Sequence, residues 1–149
     1  MALIKYHGRR EYLDFYSEAM FRRFGPAIRR LSPDCIIPVP VHKSRLKKRG
    51  FNQAEIVAKV LSENTGIAMD AGAVKRIKAT SPQKELGDKG RKRNIRGAFA
   101  VQKNVKGENI VLIDDIYTTG STLDEAARVL KKAGAENVYF LTVSIGQGI

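Results

Sequence analysis

Residues 110–122, Ile-Val-Leu-Ile-Asp-Asp-Ile-Tyr-Thr-Thr-Gly-Ser-Thr, constrain the fold more than any other part of the chain. Four consecutive apolar residues, Ile110, Val111, Leu112 and Ile113, fit a strand covered on both faces, because a strand with one wet face alternates apolar with polar. Two acids, Asp114 and Asp115, follow, and then a turn rich in hydroxyls. Beyond it Leu123, Ala126, Ala127 and Leu130 stand at i, i+3, i+4 and i+7, the spacing of one helix face. Gly134 closes that helix, and residues 138–145 read as the next strand. Strand, helix and strand at this spacing form a right-handed crossover between parallel strands. The fold class is therefore α/β, with a central, mostly parallel sheet flanked by helices. Thr122 followed by Glu125 reads as a capping box that sets where the helix begins.

The rest of the chain supplies the layers. In residues 12–31, Leu13, Tyr16, Met20, Phe21, Phe24, Ile28 and Leu31 recur at helical spacing, with Gly25-Pro26 expected to break or kink the helix. Residues 36–41 read as a short buried strand punctuated by Pro38 and Pro40. Ile56, Val57, Val60 and Leu61 mark one side of a helix over residues 52–63, with Gly66 as its stop. Residues 74–77 read as a short strand, residues 78–96 as a polar mobile loop and residues 98–101 as its returning strand. A chain of 149 residues with 43% apolar content is expected to form one domain, with residues 1–32 as an N-terminal helical segment and 33–149 as the core.

Cysteine usage and hydropathy exclude several classes. The lone Cys35 rules out an intramolecular disulfide framework, and no Cys/His spacing resembles a zinc site. Beside Ile36 and Ile37, Cys35 reads as a core residue. No apolar run approaches the ~20 residues that span a bilayer, so the chain is expected to be cytoplasmic without membrane insertion.

The formal net charge is +12, which favours anionic partners. Ten of the 27 basic residues fall in two tracts, Lys43, Arg45, Lys47, Lys48 and Arg49, and Lys89, Arg91, Lys92, Arg93 and Arg96. Such tracts are either solvated surface or contacts for phosphates, nucleotides or nucleic acid.

At the carboxyl end of a parallel strand, residues 114–122 stand where open α/β sheets bind ligands. Thr118, Thr119, Ser121 and Thr122 offer hydroxyls, Gly120 permits a tight turn, and the helix start offers free N–H groups, a set of donors suited to a phosphate. Asp114 and Asp115 would repel a phosphate laid on them, but carboxylates accept hydrogen bonds from the vicinal hydroxyls of a sugar. Acids and cradle together describe a ribose 5-phosphate site. The plainer alternative is that the acids cap a strand and the turn is an ordinary helix entry. A P-loop is excluded because no lysine follows Gly120.

Residues 110–122 resemble the 5-phosphoribosyl-1-pyrophosphate (PRPP) motif of type I phosphoribosyltransferases. Residues 37–53, Ile-Pro-Val-Pro-Val-His-Lys-Ser-Arg-Leu-Lys-Lys-Arg-Gly-Phe-Asn-Gln, with Ser81-Pro82-Gln83, Arg93-Asn94 and Gly97-Ala98-Phe99, resemble the ComF family, which is associated with DNA uptake in natural competence. The resemblance implies the type I phosphoribosyltransferase fold, with the N-terminal helix as a small hood. It implies catalytic roles for Asp114 and Asp115, a 5-phosphate site at Thr118, Thr119, Gly120, Ser121 and Thr122, and a pyrophosphate loop at Val41, His42, Lys43, Ser44 and Arg45. It also implies a flexible catalytic loop carrying Gln83, Lys89, Arg91, Arg93 and Arg96. The expected reaction is Mg2+-assisted displacement of pyrophosphate from carbon 1 of PRPP by a nitrogen nucleophile, the Mg2+ arriving on PRPP with no protein ligand assigned. Many members carry an N-terminal zinc ribbon, and this chain is expected to lack it, as a short member or a fragment.

Several readings stay open. His42 is either a pyrophosphate ligand or a satisfied loop-end histidine. Tyr117 either borders the ligand or packs, whereas His7 reads as structural or surface and Phe51 and Phe99 read as core. A binding module without turnover would use Lys47, Lys48, Arg49 and Lys92 on single-stranded DNA. A homodimer and a protein partner in the competence machinery are open as well.

Overall fold

The computed structural model describes residues 11–80 and 88–146. In chain order the elements are α1 (Glu11–Leu31), β1 (Cys35–Pro38), α2 (Lys43–Arg49), α3 (Gln53–Thr65), β2 (Val74–Arg76), α4 (Asp88–Ile95), β3 (Phe99–Val101), β4 (Asn109–Tyr117), α5 (Ser121–Lys132) and β5 (Asn137–Ile145). β4 is the middle strand of a parallel sheet ordered β1-β4-β5, with Ile110 opposite Cys35 and Val138. β2 and β3 form a separate antiparallel ribbon in which Arg76 faces Phe99.

Alternation of side chains along β4 builds the layers. Ile110 and Leu112 join Leu123, Ala126 and Leu130 of α5, together with Val74, Ile95 and Phe99 from the ribbon and α4. Val111 and Ile113 join Val57, Ala58 and Leu61 of α3, with Leu13, Met20 and Ile28 of α1 beyond. Each of the four β4 residues 110–113 is 2% exposed or less, so the strand is dry on both sides, as its unbroken apolar run requires. The N-terminal helix expected as a hood is α1, which packs along α3 and also touches β5. Cys35, Phe99 and half-buried Phe51 all belong to the core, as expected.

The structure corrects several local expectations. α1 runs through Pro26 without the break that was one of the two outcomes expected there, with the buried residues Met20 and Ile28 holding the stretches on either side to the same core. β1 ends at Pro38 rather than at residue 41. β4 runs on to Tyr117, so Asp114 and Asp115 are strand residues rather than residues just past its end. Within residues 78–96, expected as loop, residues 88–95 form α4, anchored by Ile95 at 2% exposure. The first basic tract is a helix as well: α2 buries no residue and ends at Gly50, whose φ of 79° is left-handed.

The capping box does not form. α5 begins at Ser121 with Gly120 as its N-cap and no side-chain capping bond. Glu125 turns elsewhere: it accepts the Gly97 N–H at 2.8 Å and two bonds from Arg128, at 2.8 and 2.7 Å. The Arg128 guanidinium holds the buried Glu125 carboxyl below the usual carboxylate range. His7 and Gln83 lie outside the described residues. Among the described residues, no helix is long and apolar enough to cross a membrane.

Asn52 joins the sheet to α3. It is 8% exposed; its Oδ1 accepts the Ala54 N–H at 3.1 Å as the α3 N-cap, and its Nδ2 donates to the Val39 carbonyl, also at 3.1 Å. Asn52→Ala is expected to cost about 1–3 kcal/mol, from a lost cap and an orphaned buried carbonyl, read as a lower urea midpoint with an unchanged slope. A loss under about 0.5 kcal/mol would contradict this role.

Candidate PRPP site

The turn after β4 is built around Gly120. Its φ of 76° is left-handed, and a Cβ there would stand 2.9 Å from the Tyr117 hydroxyl. Both conditions restrict the position to glycine. Thr119 Oγ1 lies 2.9 Å from Ser121 Oγ, and the Gly120 carbonyl accepts the Asp124 N–H at 2.8 Å, which starts α5. The Gly146 N–H donates to the Tyr117 carbonyl at 2.7 Å, so the end of β5 closes against the same turn. Tyr117 packs: its ring stacks on Phe140 at 5.9 Å with 8° between planes. Tyr117 also lines the depression at this turn.

Asp114, Ile116, Tyr117, Thr118, Gly120, Ser121, Thr122 and Leu123 surround a shallow open depression. The structure thus brings one expected acid and four of the five expected cradle residues to one place. Asp115 and Thr119 are not part of that lining. Asp114 Oδ1 accepts the Asp115 N–H at 2.8 Å, which ties the two acids together.

The first loop stands differently. His42 caps α2, its Nδ1 accepting the Ser44 N–H at 3.3 Å and lying 2.9 Å from Ser44 Oγ. These contacts satisfy the histidine within its own turn. Val41 and Arg45 are half-buried, whereas Lys43 and Ser44 are exposed. Arg45 donates to the Thr80 carbonyl at 3.2 Å.

Arg76, whose charge feels both Arg45 and Asp114, is a further candidate that the sequence reading missed. It is half-buried, its guanidinium lies 5.6 Å from the centre of the Phe99 ring, and one terminal nitrogen donates to Thr80 Oγ1. Burial and the neighbouring Arg45 charge push its pKa down to about 10, against the opposing pull of Asp114. It stays protonated at neutral pH, and its buried Nε has no hydrogen-bond partner among the described residues. The available signal was alternation: Arg76 is two residues past the core residue Val74, hence on the same face of β2.

The remaining cations of the two basic tracts are on or next to α2 and α4. Lys47 and Lys48 are exposed on α2, while Arg49 reaches Gln53 Oε1 at 3.4 Å. Lys89, Lys92 and Arg93 are exposed on α4, as is Arg96 just after it; Arg91 belongs to α4 by its backbone. Among the described residues no group of three or more His, Cys, Asp or Glu side chains is placed to hold a metal.

Comparison with known proteins accords with this geometry. The family model described as "Phosphoribosyl transferase domain" matches residues 45–145. The chain is 40% identical over 106 residues to the DNA utilization protein YhgH of Salmonella typhi, covering 71% of this chain and 47% of that protein. It is 41% identical over 109 residues to competence protein F of Haemophilus influenzae, covering 71% and 48%. It is 30% identical over 149 residues to competence protein ComFC of Bacillus subtilis, covering 96% and 57%. The chain thus spans about half the length of these relatives.

Solved structures share the fold at lower identity. A purine phosphoribosyltransferase from Pyrococcus horikoshii superposes with a TM-score of 0.57 at 20% identity, over 88% of this chain and 73% of that one. The adenine phosphoribosyltransferase of Saccharomyces cerevisiae gives 0.54 at 18%, over 90% and 68%. With a central strand that carries paired acids just past its dry stretch, a glycine turn opening α5 and these relatives, the chain belongs to the ComF family of proteins with the phosphoribosyltransferase fold.

Proposed function

We propose that the chain binds PRPP at the carboxyl end of β4 and transfers its phosphoribosyl group with release of pyrophosphate, in a protein that serves DNA uptake. The observation that carries this reading is the depression in which Asp114 meets the Gly120 turn, with the half-buried cation Arg76 near Asp114 and Arg45. The backbone and hydroxyls of residues 118–122 would hold the 5-phosphate at the α5 N-terminus. Asp114 and Asp115 would accept the ribose hydroxyls. Pyrophosphate would lie toward residues 41–45 and Arg76, whose unsatisfied Nε is a donor suited to an anion.

As a nitrogen nucleophile bonds to carbon 1, the bond from that carbon to the pyrophosphate oxygen breaks and its electron pair leaves with pyrophosphate. Arg45 and Arg76 would stabilise the negative charge gathering there, while the nearby carboxylates favour the positive charge on the ribose ring. Two carboxylates are too few for a protein-made Mg2+ site but suit an ion held chiefly by ligand oxygens, where it would neutralise the phosphates. The relatives named for competence and DNA utilization support the link to DNA uptake.

A second reading rests on α2, a helix with no buried residue whose last turn is Lys47, Lys48 and Arg49. Those cations, and separately the exposed Lys92, Arg93 and Arg96, are available to the phosphates of single-stranded DNA.

Isothermal titration with PRPP and Mg2+ tests the first reading. Binding by the wild type, weakened about tenfold or more by Asp114→Asn with Asp115→Asn, is expected from the loss of charge-assisted hydrogen bonds. Undiminished binding by the double variant contradicts it. For the second reading, fluorescence anisotropy with a labelled single strand is expected to show affinity falling about tenfold or more from low to physiological salt. Lys47→Glu, Lys48→Glu and Arg49→Glu together should abolish that affinity, and DNA binding unaltered by the triple change counts against it.

A further inference from the structure

We infer that Glu125 is a positioning residue of the proposed PRPP site: through Gly97 it sets where the β2–β3 ribbon presents Arg76 and Thr80 to Asp114 and Arg45. This rests on the PRPP reading above and extends it to a residue one helical turn behind the cradle.

The connection is a short chain of hydrogen bonds. Glu125 Oε1 accepts the Gly97 N–H at 2.8 Å. The next residue, Ala98, accepts the Ile77 N–H at 2.8 Å, and Ile77 follows Arg76 directly. Phe99 is the register partner of Arg76 and carries the Arg76 guanidinium over its ring. Thr80, three residues beyond Ile77, is shared by Arg45 and Arg76. Moving Gly97 therefore moves the strand that Arg76 is bonded to.

Glu125 is well placed to fix that strand relative to the ligand. It belongs to α5, whose first turn supplies Ser121 and Thr122 to the depression, so cradle and clamp share one rigid helix. At 7% exposure its carboxylate is committed to protein partners, and the half-exposed Arg128 balances its charge from outside. Gly97 has a φ of 71°, the left-handed geometry of a helix exit, so its amide marks the end of α4 and the start of β3. A carboxylate that satisfies that amide specifies both where α4 stops and how the ribbon approaches the sheet.

The test separates the two ends of the ligand. Ribose 5-phosphate engages only the cradle and the acids, whereas PRPP adds the pyrophosphate that Arg76 and Arg45 would meet. By titration calorimetry, Glu125→Ala is expected to weaken PRPP by about tenfold or more while leaving ribose 5-phosphate within about twofold of wild type. Glu125→Gln keeps the acceptor for Gly97 and should retain PRPP affinity, and so should Arg128→Ala. If Glu125→Ala does not fold, Glu125→Asp, too short to reach Gly97, replaces it with the same expectation. Equal weakening of both ligands, no weakening of either, or a Gln variant as impaired as the Ala variant overturns the inference. A wild type that binds neither ligand overturns the PRPP reading itself, a result distinct from these.

Discussion

Burial of β4 on both faces is the constraint on which the remaining structure depends. A strand dry on each side can carry no charge along residues 110–113, so the first acids come where the covering layers give out. Asp114 and Asp115 stand at that boundary and are half-buried, and Asp114 is near enough to Arg76 to act on its charge. The same burial fixes α5 on one face through Leu123, Ala126 and Leu130, which holds the N-terminus of that helix beside the acids. Site geometry is in this sense a by-product of core packing.

Charge is distributed unevenly around that boundary. A net charge of +12 is carried mainly on solvated helix surfaces, but Arg76 is taken largely out of water beside a second arginine. Burying a cation near a like charge is unfavourable, and the attraction of Asp114 offsets only part of it. An anionic ligand arriving between Arg45 and Arg76 would relieve that repulsion, a common arrangement where binding sites trade stability for affinity. Glu125 shows the complementary case: a buried carboxylate fully engaged by Arg128 and the Gly97 amide, with its energy directed to holding a shape.

What the sequence disclosed follows the reach of the interactions involved. β4, α5 and β5 were legible because their periodicity reflects direct contact with the core, and Gly120 because its turn demands a left-handed residue. α4 was not legible: it contains Gly90, and among its described side chains only Ile95 is buried in the core, which leaves no period to read. α2 buries nothing and so leaves no apolar pattern. Pro26 was read by its intrinsic cost alone, which packing on either side overrides. Thr122 and Glu125 have capping-box spacing, yet a tertiary amide from Gly97 and the Arg128 guanidinium claim the carboxylate instead. Of the site, the acids and cradle were visible as a local motif, whereas Arg76 and Thr80 depend on the ribbon folding back across the sheet.

The most direct test of the central claim is a crystal structure of the chain with ribose 5-phosphate bound. The account predicts the phosphate at the backbone amides of residues 118–122, with the ribose hydroxyls on the Asp114 and Asp115 carboxylates. A sugar phosphate seated elsewhere, or acids turned away from it with the α5 amides closed to the ligand, would contradict it.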